Sequence, residues 1–193
     1  MAREAGRQLA RGEYIQYIDS DDLLMPRKFS LQIAALKGNP ECAVAYGMTE
    51  FRVIGKPSDP RHYRRTGEGL KTIMPAMLSG RWWCTNTPLY RRSVCDSAGA
   101  WLPLINEEDW EYDCRIAKYC NDIVAVPEFV SVQRAHRFGH ACANSNKNPE
   151  KLEHRCRARM SILQHAIEMG FTTGNPDFQN FINESFLVVR QAD

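Results

Sequence analysis

The chain contains no uninterrupted apolar run of membrane-spanning length, so a transmembrane helix is not expected anywhere in its 193 residues. Its first residues, MAREAGRQLARG, have no apolar centre and do not read as a secretory leader. Charge of one sign is not in excess. A formal net charge of +2 is too small to indicate a nucleic-acid partner on electrostatic grounds. The arginines instead form local groups at Arg61, Arg64 and Arg65 and at Arg155, Arg157 and Arg159, which suit either a phosphate-bearing small molecule or plain solubility. The seven cysteines include no CxxC pair, and their odd number and dispersed spacing read as mostly free thiols in a reducing compartment. The Cys114 and Cys120 spacing matches no familiar zinc pattern. Internal repeats and low-complexity tracts are also missing. What remains is a length sufficient for one core, or one domain with a helical appendage.

The elements follow from local pattern. Residues 2–11 read as a helix with Ala5 and Leu9 as a modest apolar stripe and Gly12 as its stop. Tyr14, Ile15, Tyr17 and Ile18 predict a strand over 14–18, ending abruptly in Asp19-Ser20-Asp21-Asp22. A helix is expected from about Pro26 to Leu36, with Phe29, Ile33 and Leu36 packing inward. Strand character returns over 43–54, with Gly47 marking a bulge. The polar, Arg-, Pro- and Gly-rich stretch 55–69 reads as a long loop of the kind that serves binding sites. A short helix is expected over 70–78 despite Pro75, then a strand over 84–90 and a helical turn before Gly99. A helix follows over 107–119, short strands at 123–126 and 129–133 flank Pro127, and 139–149 reads as a loop. Two final helices are expected at 150–169, with Leu152, Cys156, Met160 and Leu163 inward, and at 178–189, with Phe178, Phe181, Ile182 and Phe186 inward.

Two acidic groups carry chemistry. The Asp19–Asp22 run is either a capped, solvated turn or a divalent-cation site at the carboxyl end of a sheet strand, where open α/β folds bind ligands. Glu107, Glu108 and Asp109 stand in the first turn of a helix. There they either complement the helix dipole or leave one carboxylate free to take a proton from an attacking hydroxyl. Trp82 and Trp83 either both pack in the core, or one packs while the other meets a ligand. If the two acidic groups open onto one cleft, a metal-held diphosphate leaving group and a separate base suit transfer from a nucleotide-activated donor. Paired-carboxylate hydrolysis suits the pattern less well, because one group already reads as a metal site.

The order AREAGRQLARGEYIQYIDSDDLLMP, EEDWEYDCRIA, VPEFVSVQRAH resembles the family 2 glycosyltransferases, inverting enzymes with the GT-A fold. The resemblance implies a mixed α/β sheet flanked by helices, with a partial catalytic domain over 1–137 and a loop and C-terminal helical extension over 138–193. It implies Asp19 near the ribose or the metal shell, Asp21 as metal ligand and Asp22 assisting. Asp109 is then the general base, with Glu108 beside it. Arg134 and His136 approach the metal and diphosphate, and Trp82, Trp83, Asn86 and Thr87 fall on the acceptor side. Mn²⁺ or Mg²⁺ and a nucleotide-sugar donor, most commonly UDP-linked, are the implied cofactors. The acceptor would be a glycan, a lipid-linked or another hydroxyl compound. No nucleic-acid partner and no membrane span are implied. A cytoplasmic location is expected, with peripheral association at the inner face of a membrane as an extension of it. The chain departs from the family at its front, where a strand with a proline and a Tyr-Asn pair, a helix, and a strand ending in Asp-Gly-Ser ordinarily precede the first helix. The sequence is thus expected to be incomplete at its N-terminus. A second copy or a fold-completing partner chain, or a catalytically inactive binding or assembly role, are the corresponding alternatives. A nucleotidyltransferase shares the metal logic, but a helix-borne base favours a hydroxyl acceptor.

Overall fold

In a computed structural model, the structure describes residues 2–55, 62–135 and 148–190. It is a mixed α/β fold around a five-stranded sheet, flanked by helices and extended by two C-terminal helices. In chain order the elements begin with α1 (Ala2–Leu9), β1 (Tyr14–Ile15), β2 (Leu23–Leu24), α2 (Lys28–Gly38) and β3 (Val44–Val53). A 3₁₀ turn (Ala76–Ser79), β4 (Leu89–Arg91), α3 (Arg92–Ala98) and α4 (Glu108–Tyr119) follow. The last elements are β5 (Ile123–Ala135), α5 (Pro149–Glu168) and α6 (Pro176–Val189). The sheet order is β1-β4-β3-β5-β2, in which only β3 and β5 run parallel.

The central pair explains the rest. VAYGMTEFRV in β3 is apolar over most of its first half, as a strand covered on both faces must be. A bulge interrupts its pairing with β5 at Gly47, as the sequence predicts. A Cβ on Gly47 would lie 2.6 Å from Val130 Cγ1 and 2.9 Å from the Glu128 carbonyl oxygen. The two strand pieces expected around Pro127 are one strand, β5. The ladder passes from Val126 to Phe129 at the bulge, so Pro127, which has no N–H to give, is skipped rather than terminating the strand.

Several expected faces turn out differently. The strand predicted over 14–18 is paired only at Tyr14 and Ile15. Tyr17 leaves the ladder for an aromatic cluster with Trp101, Tyr90 and Tyr112, at ring-centroid distances of 4.9, 5.7 and 5.8 Å. Helix α1 buries none of its residues, and Leu9 is exposed. It is attached by polar contacts instead: Glu4 accepts the Trp101 N–H at 3.2 Å, and the Arg3 guanidinium lies 5.1 Å from the Trp101 ring centroid. Helix α2 starts at Lys28 and turns Lys28, Gln32 and Leu36 inward, leaving Phe29 exposed. The two polar chains are tolerated because each finds a carbonyl: Lys28 Nζ donates to Thr87 O at 2.8 Å and Gln32 Nε2 to Ala45 O at 2.8 Å. Burial pushes the Lys28 ammonium well below the usual lysine range. The expected helix at 70–78 is instead an irregular segment with a cis Met74–Pro75 bond, followed by the 3₁₀ turn. In α5 the inward residues are Leu152, Ala158, Arg159, Ile162, His165 and Ala166, while Met160 is exposed. In α6, Phe178, Phe181 and Val188 are buried and Phe186 is exposed. Side chains Asn148 and Asn175 cap these two helices by accepting the N–H groups of Lys151 and Phe178. Ile162, Ala166, Phe178 and Phe181 join the same core as Trp82, Trp110 and Tyr112, so the C-terminal helices pack on the sheet layer.

Candidate functional site

A cavity of about 600 Å³ opens between the Asp19–Asp22 loop, the start of α4, the segment after the 3₁₀ turn and the first turns of α5. The two acidic groups that the sequence singles out therefore share one cleft.

The loop is held by short local and long-range bonds. Asp22 N–H donates to Asp19 O at 3.1 Å, closing a turn. The Asp22 carboxylate is buried and accepts the Arg134 N–H at 3.0 Å, which pins the loop to β5. Burial raises its pKa to about 6, with the Arg134 N–H opposing and the neighbouring aspartates adding to the shift. Arg134 Nε donates to the Asp21 carbonyl, a second pin. Asp19 is 40 % exposed and accepts Arg3 Nη2 at 2.6 Å. Asp21 also lines the cleft.

Across the cleft, Glu107 adopts the left-handed backbone conformation (φ 57°, ψ 14°) and starts α4. Its carboxylate accepts Arg155 Nε at 2.9 Å and Arg159 Nε at 2.9 Å. Glu108 accepts Arg3 Nη1 at 2.6 Å. Desolvation, then the nearby Asp109, raise the pKa of Glu108, and Arg3 only partly offsets them. Asp109 Oδ1 accepts the Trp110 N–H at 2.8 Å, and its Oδ2 accepts Arg81 Nη1 at 2.8 Å and the Thr85 hydroxyl at 3.3 Å. Arg81 is largely buried between Asp109 and Asp113. Desolvation opposes its charge, yet the two carboxylates outweigh that and keep it cationic.

The remaining expected residues divide. Of Trp82, Trp83, Asn86 and Thr87, only Trp83 lines the cleft, and all four are buried to within 1 %. Trp82 packs on Tyr46 at 4.9 Å. Asn86 Nδ2 donates to Val132 O at 3.0 Å, and Thr87 Oγ1 pairs with Thr49 Oγ1 at 2.5 Å. The side chains of these three are engaged in framework contacts beneath the cleft. His136 lies outside the described residues. Among the described residues, no group of three or more His, Cys, Asp or Glu side chains could by itself hold a metal ion. Arg3 and Arg81 line the cleft without any sequence motif to announce them, whereas Arg155 and Arg159 come from the arginine group found on α5 and Tyr63 from the stretch read as a binding loop.

The fold and this cleft define a mixed α/β protein with a pocket lined by charged side chains, and crystal structures of S. aureus TarS are among those that share the fold. S. aureus TarS 1–349 in complex with UDP matches with TM-score 0.64 at 14 % identity, covering 95 % of this chain and 50 % of that one. TarS 1–349 in complex with UDP-GlcNAc matches with TM-score 0.61 at 14 % identity, covering 97 % of this chain and 60 % of that one. The longer S. aureus TarS structure matches with TM-score 0.56 at 14 % identity, covering 83 % of this chain and 26 % of that one. The chain thus spans 60 % or less of the TarS chains it matches. No protein-family model matches the chain, and no curated protein matches it.

Proposed function

We propose that the cleft binds a nucleoside-diphosphate sugar, with UDP-GlcNAc the first donor to try, and transfers the sugar to a hydroxyl acceptor with inversion. One observation carries this reading: the Asp19–Asp22 loop and Asp109 face one cleft, in a fold shared with TarS structures that hold UDP and UDP-GlcNAc. The donor set fits a divalent cation. Mg²⁺ and Mn²⁺ prefer hard oxygens, and Mg²⁺ commonly takes one or two carboxylates and completes its shell with substrate phosphate and water. Asp21 and Asp19 would hold the ion, Asp22 being committed to Arg134. When bound, the ion neutralises charge on the diphosphate leaving group.

The chain's own residues supply the rest. Arg134 sits beside the loop and adds positive charge on the donor side. Asp109 accepts the proton of the acceptor hydroxyl as its oxygen forms a bond to the anomeric carbon. The bond from that carbon to the diphosphate oxygen breaks, and its electron pair leaves with the diphosphate. A single displacement inverts the anomeric centre. A glycan or a lipid-linked acceptor would enter past Tyr63, Arg64 and the start of α4. Among the described residues no helix is long and apolar enough to cross a membrane.

A second reading is a nucleotide-binding or assembly module without turnover. It is favoured by the Arg3 bridge, which already engages both Asp19 and Glu108. The two readings separate by measuring UDP release from a panel of UDP-sugars with Mn²⁺ and simple glycoside acceptors. Turnover that Asp109→Asn abolishes supports the transferase. Donor binding without release from any donor supports the binding module.

A further inference from the structure

Arg81 follows Gly80, whose backbone (φ 125°, ψ 154°) suits glycine and turns the next side chain under the start of α4. There its guanidinium spans two carboxylates one helical turn apart. Nε donates to Asp113 Oδ2 at 2.7 Å, and Nη1 donates to Asp109 Oδ2 at 2.8 Å. The two ends differ in character. Asp113 is fully buried, and its contacts are completed by Trp83 Nε1 at 2.7 Å and the Tyr90 hydroxyl at 2.5 Å. Asp109 is 26 % exposed and stands on the cleft. Arg81 is therefore fixed at its buried end and presents a donor at the solvent end.

The consequence concerns direction. An aspartate carboxylate turns freely about its last torsion, so an unheld one offers its lone pairs over a broad arc. A base must instead sit within hydrogen-bond reach of one hydroxyl in one pose, and small misplacements there cost large factors in rate. Here Trp110 N–H holds Oδ1, and Arg81 with Thr85 holds Oδ2, which sets the carboxylate plane. Arg is suited to this in a way Lys is not, because two N–H groups at a fixed angle reach both carboxylates at once.

We propose that Arg81, anchored on buried Asp113, is a positioning residue that fixes the carboxylate plane of Asp109 toward the acceptor hydroxyl. The proposal rests on the reading of Asp109 as the base. The test is steady-state UDP release from UDP-GlcNAc and the other UDP-sugars with Mn²⁺ and methyl glycosides, comparing the parent chain with Arg81→Lys and Thr85→Val. Arg81→Lys keeps the charge but loses the fork, and is expected to lower kcat about 100-fold while donor KM stays within about twofold. Thr85→Val removes the second donor on Asp109 Oδ2 and is expected to lower kcat several-fold, again with KM unchanged. That variant decides the question if Arg81→Lys does not fold. Guanidinium added to Arg81→Gly should restore part of the lost kcat where methylammonium does not. Parent-like kcat in both Arg81→Lys and Thr85→Val would overturn the proposal while leaving the transferase reading intact. Absence of UDP release by the parent from every donor would overturn the transferase reading, and this proposal with it.

Discussion

Glu107 and Arg159 join across 52 residues, with Arg159 Nε 2.9 Å and Nη2 3.2 Å from the two carboxylate oxygens. The pair ties α5 to the left-handed residue that opens α4, two residues before Asp109, and Arg159 also lies 5.1 Å from the Trp110 ring centroid. A buried guanidinium left without its carboxylate is costly, so Glu107→Ala should destabilise the fold by about 3 kcal/mol. Urea denaturation of the variant against the parent checks this, and a loss below about 1 kcal/mol would show that the pair is solvated and incidental.

Arg3 makes the corresponding bridge on the donor side, and both its bonds are only partly shielded from water. Arg3→Ala should therefore lower stability by only about 1 kcal/mol, read as a drop of a few degrees in Tm. If the bridge also restrains Asp19, the same variant should bind Mn²⁺ with UDP at least as tightly as the parent. Weaker binding would instead place Arg3 among the groups that contact the donor.

The Glu111 carboxylate gives the pH dependence a sign. It is fully buried in α4, and desolvation alone would raise its pKa, but His165, Arg115 and Ser161 bond it and the net shift is downward. An acid whose folded pKa is depressed adds stability that is complete above its ordinary value of 4.5 and is lost as pH falls through the folded value. Glu111→Gln should cost about 3 kcal/mol at pH 7, and the gap from the parent should narrow only once the pH falls below the ordinary value of 4.5. Thermal melts across pH 3–7 measure it, and a constant gap would contradict the assignment.

Gly47 tests the bulge. Because its missing Cβ would meet Val130 and the Glu128 carbonyl oxygen at under 3 Å, Gly47→Ala should destabilise by about 1–3 kcal/mol. A neutral substitution, measured by denaturant melts, would mean that β3 and β5 can separate locally at little cost.

The parts of this fold legible in the sequence are those written in local pattern. Most of the helices, the bulge at Gly47 and the acidic turn after Ile18 follow from neighbours within a few residues, whereas the two-residue β2 and the irregular segment before the 3₁₀ turn do not. The inward faces of α2 and α5 do not, because Lys28, Gln32, Arg159 and His165 are buried by finding specific polar partners rather than by being apolar. A periodicity of hydrophobicity therefore picks Phe29 and Met160, which the structure leaves exposed. In the site, the carboxylates stand out because like charges rarely cluster without reason. Their cationic partners do not stand out: Arg3 reaches Glu108 across 105 residues and Arg81 reaches Asp109 across 28, distances over which no motif forms. The WW-C-T-N-T stretch divides: Asn86 and Thr87 are taken up by backbone and hydroxyl partners beneath the cleft, while Trp83, Cys84 and Thr85 line it.

The role of Asp109 is open to a direct kinetic comparison. Asp109→Asn preserves the shape and the Trp110 contact but cannot take a proton, so turnover should fall at least about 100-fold with donor affinity nearly unchanged. An equal loss of donor affinity would mean that Asp109 holds the donor instead.

The measurement closest to the central claim is calorimetric titration of UDP into the chain with and without Mn²⁺, in parallel with Asp21→Ala. Binding is expected to require the metal and to be lost in Asp21→Ala. UDP binding that is indifferent to both metal and Asp21, or no binding at all, would contradict it.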